Sequence, residues 1–242
     1  MSQSAHDEHQ HHEGARVEDH HAHAEPAPGA QEFSVDRILD PAFWEERYAA
    51  SESVWSGKPN QVVVDEVGDL PPGRALDVAA GEGGDVVWLA QRGWSVVALD
   101  VSATALRRCQ DAADARGLGA LVTTVEHDAV TWRDDAGYDL VTSAFMHLPP
   151  ELRGAWLANL AGLVAPGGTL LIVGHHALDL QTTVGRPNHP ELFADAAEFV
   201  EGLPADEWQV VTAEARPRPA VDAEGREITL HDAVLRAIRL AS

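Results

Sequence analysis

The sequence predicts a doubly wound α/β fold, a mostly parallel seven-stranded sheet with an antiparallel hairpin at one edge. Strand and helix patterns alternate through the middle of the chain, which is typical of a parallel sheet covered by helices on both faces. A glycine-rich turn at residues 81–84 leads from the first strand into the next helix. The last two apolar runs are separated only by a turn, which predicts an antiparallel pair.

The individual elements follow from the spacing of apolar residues and from the turn residues between them. Two helical stretches, 40–48 and 62–67, come first and end at the turn 71–73. Ser102 is placed to cap the helix that follows the second strand. The last segment is predicted as a strand, with a helix as the alternative. The predicted strands are 74–79, 95–100, 121–126, 138–143, 169–174, 208–215 and 227–238, and the predicted helices are 84–92, 103–116, 150–164 and 190–202.

Composition limits the class of protein. A chain of 242 residues suffices for one well-buried α/β domain and is short for two. The formal net charge of −22 should repel phosphate groups, so neither a nucleic acid nor a membrane is expected as a partner. Apolar runs are too short for a membrane span, the N-terminus lacks a secretion signal, and Cys109 is the only cysteine. A cytoplasmic location is therefore expected.

Residues 1–32 are expected to form a disordered, acidic, His-rich tail in front of a domain at 33–242. Seven of the thirteen histidines lie in this tail. Such tracts bind zinc, nickel or copper loosely, but the spacing is irregular and no second cluster of ligands stands nearby in the sequence. We expect weak divalent metal binding at most, with no defined metal site, and keep a metal-handling protein as an alternative function.

The glycine turn predicts a nucleoside cofactor. Gly81 and Gly83 leave backbone amides exposed at the start of a helix, where a ligand can approach closely. Asp100 ends the second strand about twenty residues beyond Gly81, the usual spacing of a ribose-binding acid, and should lie at the strand tip outside the core. A dinucleotide fingerprint requires a third glycine where Val86 stands. This disfavours an NAD(P)-dependent oxidoreductase, which remains an alternative.

The stretch from Asp77 to Gly83 resembles the first motif of class I S-adenosylmethionine-dependent methyltransferases, acid-x-G-x-G-x-G, with Ala79 in place of the first glycine. The resemblance covers about residues 40–240 and includes the segments 138–141 and 165–170. It implies a Rossmann-like fold with S-adenosylmethionine as the cofactor. By this resemblance the cofactor-binding residues are Asp77, Ala79, Gly81, Gly83 and Val101, with Asp100 at the ribose and Asp128 and Ala129 at the adenine.

The aromatic segments 43–48 and 54–57 are similar to those of small-molecule methyltransferases of the thiopurine and tellurite-resistance type. In that family an N-terminal aromatic segment covers the cofactor. The resemblance implies that Trp55 lies over the methionine end of the cofactor, where a cationic sulfur would rest near an aromatic face. Packing of Trp55 on the core is the alternative.

The resemblance implies direct methyl transfer to a small molecule, with the protein aligning the nucleophile and excluding water. His147, just past the fourth strand, is the candidate general base, which a hydroxyl or amine acceptor needs and a soft anion does not. His175 and His176, past the fifth strand, are further candidates, and a structural role is the alternative for each. Cys109 lies inside a predicted helix away from the pocket edge, which makes it a poor nucleophile.

Overall fold

The computed structural model describes residues 35–184 and 189–241. The predicted tail, and with it the predicted domain boundary and metal binding, lies outside these residues. The helices are α1 (Val35–Ile38), α2 (Pro41–Ala49), α3 (Gln61–Val67), α4 (Gly84–Gln91), α5 (Ala103–Asp114), α6 (Pro150–Leu163) and α7 (Ala196–Glu201). The strands are β1 (Arg74–Val78), β2 (Ser95–Asp100), β3 (Val122–Glu126), β4 (Tyr138–Ala144), β5 (Val164–His175), β6 (Trp208–Val221) and β7 (Glu227–Arg239).

One seven-stranded sheet has the order β3-β2-β1-β4-β5-β7-β6. Strands β1 to β5 are parallel to one another, whereas β7 is antiparallel to both β5 and β6. The predicted fold is confirmed, and the segment 227–238 is a strand rather than a helix. Val78 is paired with Leu99 on one side and with Ser143 on the other, so β1, β2 and β4 end level with one another. Their carboxyl ends therefore form a single edge.

The core consists of two apolar layers, one on each face of the sheet. Alternate residues of β5 point to opposite faces, as the two-residue repeat of a strand requires. Leu171 and Val173 belong to the layer under α3, α4 and α5, which contains Trp94. Leu170 and Ile172 belong to the layer under α6 and α7. None of the described helices is both long and apolar enough to cross a bilayer.

The prediction of one continuous helix over 190–202 is wrong. The chain instead forms a short 3₁₀ turn, Pro190–Leu192, and then the separate helix α7. Asp195 adopts an extended backbone and its carboxylate accepts a hydrogen bond from the Ala197 N–H at 3.0 Å. Because an N-cap of this kind starts a new helix, Asp195 divides the segment in two.

Candidate active site

The glycine turn after β1 depends on left-handed backbone conformations. Ala79, Gly81 and Gly83 have φ of +58°, +53° and +82°. This explains why the family's motif has glycine at the first of these positions, since a side chain there is strained. A Cβ added at Gly83 would overlap the Sγ of Cys109 on α5 and lie 2.8 Å from its Cβ. The turn therefore packs directly on α5, with no space for a side chain.

Asp100 holds this turn in place. Its Oδ2 accepts the Gly81 backbone N–H at 2.8 Å, and its Oδ1 accepts the Ser102 N–H at 2.9 Å. The side chain is only 7% exposed, so the expectation that it lies outside the core is wrong. Burial raises the pKa of Asp100 despite these hydrogen bonds. Ser102 in turn caps α5 by accepting the Ala105 N–H, as predicted.

Two more buried carboxylates lie near the turn. Asp77 on β1 accepts a hydrogen bond from Thr142 Oγ1 at 2.7 Å, and burial, followed by the charge of Asp85, raises its pKa well above the usual value. Asp85, in the first turn of α4, accepts hydrogen bonds from the backbone N and the Nδ2 of Asn60, both at 2.7 Å. Burial raises its pKa to about 6. The turn thus has a negative environment suited to a cationic ligand.

Carboxylates also fasten the N-terminal aromatic segment, residues 40–60, over the turn. Glu82, within the turn, accepts the backbone N–H groups of Val54 and Trp55 at 3.0 and 2.8 Å and pairs with Arg108 at 2.7 Å. Glu45 on α2 accepts hydrogen bonds from the Ser102 hydroxyl at the start of α5. The segment is consequently attached from both sides of the turn.

Trp55 does not pack into the core, because 47% of its surface is exposed. Its indole Nε1–H donates to the Tyr48 hydroxyl at 2.9 Å. A Cβ added at Gly81 would lie 2.9 Å from this hydroxyl oxygen and 3.4 Å from the indole nitrogen. Tyr48 is buried, and burial raises its pKa, so its hydroxyl stays a neutral donor. The sequence did not single out Tyr48 as a site residue, and its signal was its place in the aromatic segment 43–48.

The predicted adenine-binding residues follow β3, beside the edge formed by β1, β2 and β4. Asp128 is exposed, and its Oδ1 accepts the Val130 N–H at 2.8 Å, which makes a local turn. Ala129 is buried against the layer under α6. Val101, between Asp100 and the cap Ser102, is half-buried. The carboxylate of Asp128 is therefore accessible from solvent, whereas Ala129 points into the core.

A second cluster, of rings, lies past β4 and β5. The imidazoles of His147 and His175 stack with centroids 4.8 Å apart, and Phe145 lies 4.6 Å from His175. Phe193 lies 6.2 Å from His147. Phe145 has φ of +60°, and its N–H donates to the Val173 carbonyl at 2.7 Å, so the chain bends sharply where β4 ends. This bend brings His147 beside His175.

A narrow cavity opens at this ring cluster; a water-sized group fits fully inside it, and a larger group fits only in part. Its lining includes Met146, His147, Arg153 and His175, together with Leu192, Ala194 and Phe199. Among the described residues that line it, none is an aspartate or a glutamate. His176 points elsewhere, with its Nε2 3.5 Å from Asp195 Oδ2. Of the three candidate histidines, the structure brings together only His147 and His175.

Cys109 lies within α5, packed against Gly83. Burial raises the pKa of its thiol to about 12, so a thiolate does not form near neutral pH. The predicted position inside a helix is confirmed, whereas the expected distance from the pocket edge is wrong, since Cys109 packs on the glycine turn. That Cys109 is a poor nucleophile stays a prediction.

Comparison with known proteins shows which proteins this chain resembles. Residues 75–168, from β1 through the start of β5, match a family model described as a methyltransferase domain. Residues 75–168 therefore form a methyltransferase domain, and this match together with relatives named as methyltransferases supports S-adenosylmethionine-dependent methyl transfer as the activity. The chain is 27% identical over 207 residues to thiocyanate methyltransferase 1 of Arabidopsis thaliana, covering 84% of this chain and 88% of that protein.

Two further matches agree with this class. "Probable thiol methyltransferase 2" of Arabidopsis thaliana is 33% identical over 133 residues, covering 53% of this chain and 59% of that protein. The solved structure of TehB from Haemophilus influenzae shares the fold, with a TM-score of 0.62 and 19% identity over 81% of this chain and 67% of that one. The predicted resemblance to small-molecule methyltransferases is confirmed, and these matches do not support the nicotinamide-dependent alternative.

Proposed function

We propose that this methyltransferase transfers a methyl group from S-adenosylmethionine to a small soft nucleophile, a thiolate or a thiocyanate-like anion. The observation that carries the proposal is the cavity beside the cofactor edge, which is lined by two imidazoles, by Arg153 and by apolar groups, and by no described carboxylate. Two relatives support it, because one is named a thiocyanate methyltransferase and the other a thiol methyltransferase.

The glycine turn fits the cofactor. The bare backbone at Gly81 leaves a cradle that a single Cβ would obstruct, and it faces the polar edge of Trp55 and Tyr48. When bound, S-adenosylmethionine supplies an electrophilic methyl group on a cationic sulfur. Asp77 and Asp85 would stabilise its positive charges, since both carboxylates are buried and short of counter-charge. The exposed ring of Trp55 would cover its methionine end.

The ring cluster suits a soft anion. Imidazole N–H groups donate hydrogen bonds to an anion, and the sulfur of Met146 and the ring of Phe199 tolerate a polarisable atom. A carboxylate in the same wall would repel an anionic acceptor, and the chain as a whole is strongly acidic. An anion in the cavity would therefore contact hydrogen-bond donors and no acidic side chain of the described residues.

His147 would take the proton from an acceptor that carries one. It lies on the loop that leaves β4, whose end is level with the end of β1, so its imidazole faces the same edge as the glycine turn. A thiocyanate ion has no proton to lose and needs no base. The role of His147 should therefore depend on the protonation state of the acceptor.

The test of the proposed function is direct. The purified protein is incubated with S-adenosylmethionine and thiocyanate, ethanethiol, ethanol or ethylamine, and the S-adenosylhomocysteine formed is quantified. We expect turnover with the two sulfur acceptors, and a kcat/KM that is independent of pH for thiocyanate but rises with thiol ionisation for ethanethiol. Turnover with ethanol or ethylamine and none with either sulfur acceptor would refute the proposal.

His147→Gln separates proton transfer from binding. The amide keeps a donor but accepts no proton, so at a pH below the thiol's pKa we expect kcat for ethanethiol to fall about 100-fold. For thiocyanate we expect less than about a threefold change, because general-base catalysis is not needed. His231→Gln, on β7 outside the cavity lining, serves as the matched control. Equal losses for both acceptors would show that His147 does not act as a base.

We also propose a cytoplasmic location, which is supported by the free, buried thiol of Cys109. Cell fractionation tests this. Weak metal binding by residues 1–32 stays a prediction, for which nickel retention by the full chain is compared with that of a chain starting at residue 33.

A further inference from the structure

One wall of the cavity comes from a segment with little structure of its own. The wall segment, residues 189–201, contains the 3₁₀ turn Pro190–Leu192 and the six-residue helix α7. Elements this short are unstable unless tertiary contacts hold them. Leu192, Ala194 and Phe199 from this segment line the cavity together with His147 and His175. The width of the cavity therefore depends on what holds the wall segment in place.

Arg153 on α6 holds it. The side chain of Arg153 is almost fully buried, and the residue is 7% exposed. Its Nη1 donates to both carboxylate oxygens of Glu198 on α7, at 2.9 and 2.8 Å, and its Nη2 donates to the carbonyl of Glu191. Its Nε donates to the carbonyl of Leu148 at 2.8 Å. One guanidinium thus connects the loop that carries His147 to both parts of the wall segment.

Arginine suits this position because its planar fork presents several donors in fixed directions at once. A lysine at the same place would offer one ammonium group and could not reach all three acceptors in the same geometry. A positive charge in the first turn of a helix is also unfavourable with respect to the helix dipole. The stabilisation of Arg153 at this position must therefore come from its contacts outside α6.

A second contact fastens the wall segment from β5. The Leu178 N–H donates to His176 Nδ1 at 3.2 Å, so a neutral His176 carries its proton on Nε2. That nitrogen faces Asp195 Oδ2 at 3.5 Å. Asp195 is the cap that starts α7. The contact is longer than those of Arg153, and 64% of the Asp195 side chain is exposed, so it supplements the guanidinium without replacing it.

From this geometry we infer that Arg153 is a positioning residue that sets the size of methyl acceptor. By holding the wall segment against the loop of His147, it keeps the cavity narrow and excludes acceptors with a bulky group next to the nucleophilic atom. The inference rests on the proposed function, because it takes the cavity as the acceptor site. Arg153 also lines the cavity, but its three guanidinium nitrogens donate to protein groups, so it acts by holding the wall segment and not on the reacting atoms.

The test compares two sulfur acceptors of different bulk, thiocyanate and thiophenol. In Arg153→Met we expect KM for thiocyanate to rise about tenfold while kcat changes less than about threefold, and the kcat/KM ratio of thiophenol to thiocyanate to rise about tenfold. Arg153→Lys should give an intermediate ratio. The dissociation constant for S-adenosylmethionine, measured by calorimetry, should stay within about twofold of that of the wild type.

Arg226→Met is the matched control, since it removes an arginine-carboxylate pair, with Asp222, from the β6–β7 hairpin outside the cavity lining. It should leave the acceptor ratio unchanged. If Arg153→Met and Arg153→Lys both turn over thiocyanate with an unchanged acceptor ratio, the inference is wrong while the proposed function stands.

Hydrogen exchange tests the same inference without turnover. Peptides from residues 189–201 should exchange at least about tenfold faster in Arg153→Met than in the wild type, while peptides from the glycine turn keep their protection. If neither probe is turned over by the wild type, the proposed function fails, and this measurement alone decides whether Arg153 holds the wall. Unchanged protection of 189–201 would overturn the inference.

Discussion

The two halves of the active-site edge are held together in different ways. At the glycine turn, backbone groups are bound by short, buried carboxylates, as in the pairs of Asp100 with Gly81 and of Asp85 with Asn60. At the ring cluster, large side chains form the walls, and the long side chain of Arg153 connects them. The glycine turn therefore leaves almost no freedom of shape, whereas the ring cluster can be reshaped by changing single side chains.

The largest difference should appear between two glycines, one in each half. In Gly83→Ala the added Cβ meets Cys109 at φ +82°, so left-handed strain and overpacking together should cost about 4 kcal/mol. In Gly174→Ala, at the end of β5 beside the cavity, the new Cβ meets nothing within 4 Å. Its effect should be within about 1 kcal/mol of zero. Urea unfolding measures both, and similar costs for the two variants would contradict the comparison.

The next largest expected effect is the dependence of folding stability on pH through Asp85. Because the folded-state pKa of Asp85 is raised to about 6 from an ordinary value of 3.8, the folded protein binds this proton more tightly than the unfolded chain. Its contribution to stability is fully present below pH 3.8 and is lost as the pH rises through 6. The loss amounts to about 3 kcal/mol.

Asp85→Asn should remove this loss, because its amide can keep both contacts with Asn60 once the Asn60 side chain turns over. The free energy of unfolding, measured between pH 4 and pH 7, should then fall less with rising pH than in the wild type. Asp134 serves as a control, because its contribution to stability should change with pH in the opposite direction. A hydrogen bond from Tyr138 lowers its pKa, so its contribution is present above the ordinary pKa and lost as the pH falls. Parallel curves for Asp85→Asn and the wild type would contradict the assignment.

Asp100→Ala should affect both stability and cofactor affinity. The change leaves the buried N–H groups of Gly81 and Ser102 without their acceptor, at a cost of about 2 kcal/mol. Calorimetry should show weakened binding of S-adenosylmethionine. Asp128→Ala, whose exposed carboxylate accepts only a local N–H, should cost about 0.5 kcal/mol. Unchanged affinity and stability in Asp100→Ala would refute the role of this carboxylate in shaping the turn.

The smallest expected effect concerns two neighbouring positions within the glycine turn, Ala79 and Ala80. Ala79 has φ of +58°, so Ala79→Gly relieves left-handed strain and should stabilise the fold by about 0.5 kcal/mol after the added chain entropy is subtracted. Ala80→Gly, at the next position, is the control and should destabilise it by about as much. Thermal unfolding resolves the two if they move in opposite directions. A loss of stability in both would show that Ala79 is not strained.

The parallel strands and the glycine turn were predictable because each is a local pattern. Apolar runs, turn residues and the Ser102 cap place the first five strands and their helices, and the spacing from Gly81 to Asp100 indicates a nucleoside site. The helix predicted at 190–202 failed because Asp195 has two possible roles, as an ordinary helix residue or as a cap, and local propensity does not decide between them.

Tyr48 and Arg153 were missed for a different reason. Each acts on groups far away in the chain: the Tyr48 hydroxyl lies at Gly81, and Arg153 reaches Glu191 and Glu198. One feature of the sequence pointed to Arg153, a positive charge in the first turn of a helix, where acidic residues are favoured. This feature indicates that Arg153 has a partner elsewhere in the chain, but it does not identify the partner.

The sequence alone determined the sheet and indicated a nucleoside cofactor at the carboxyl ends of its strands, because these depend on apolar periodicity and on residues with special backbone properties. Only the tertiary structure decided that Asp100 is buried and bound to the turn, that Trp55 stays exposed, that His147 stacks on His175 rather than His176, and that Arg153 holds the facing wall. These arrangements depend on side-chain directions and on contacts between distant segments, which become defined only once the two layers of the core have packed on the sheet.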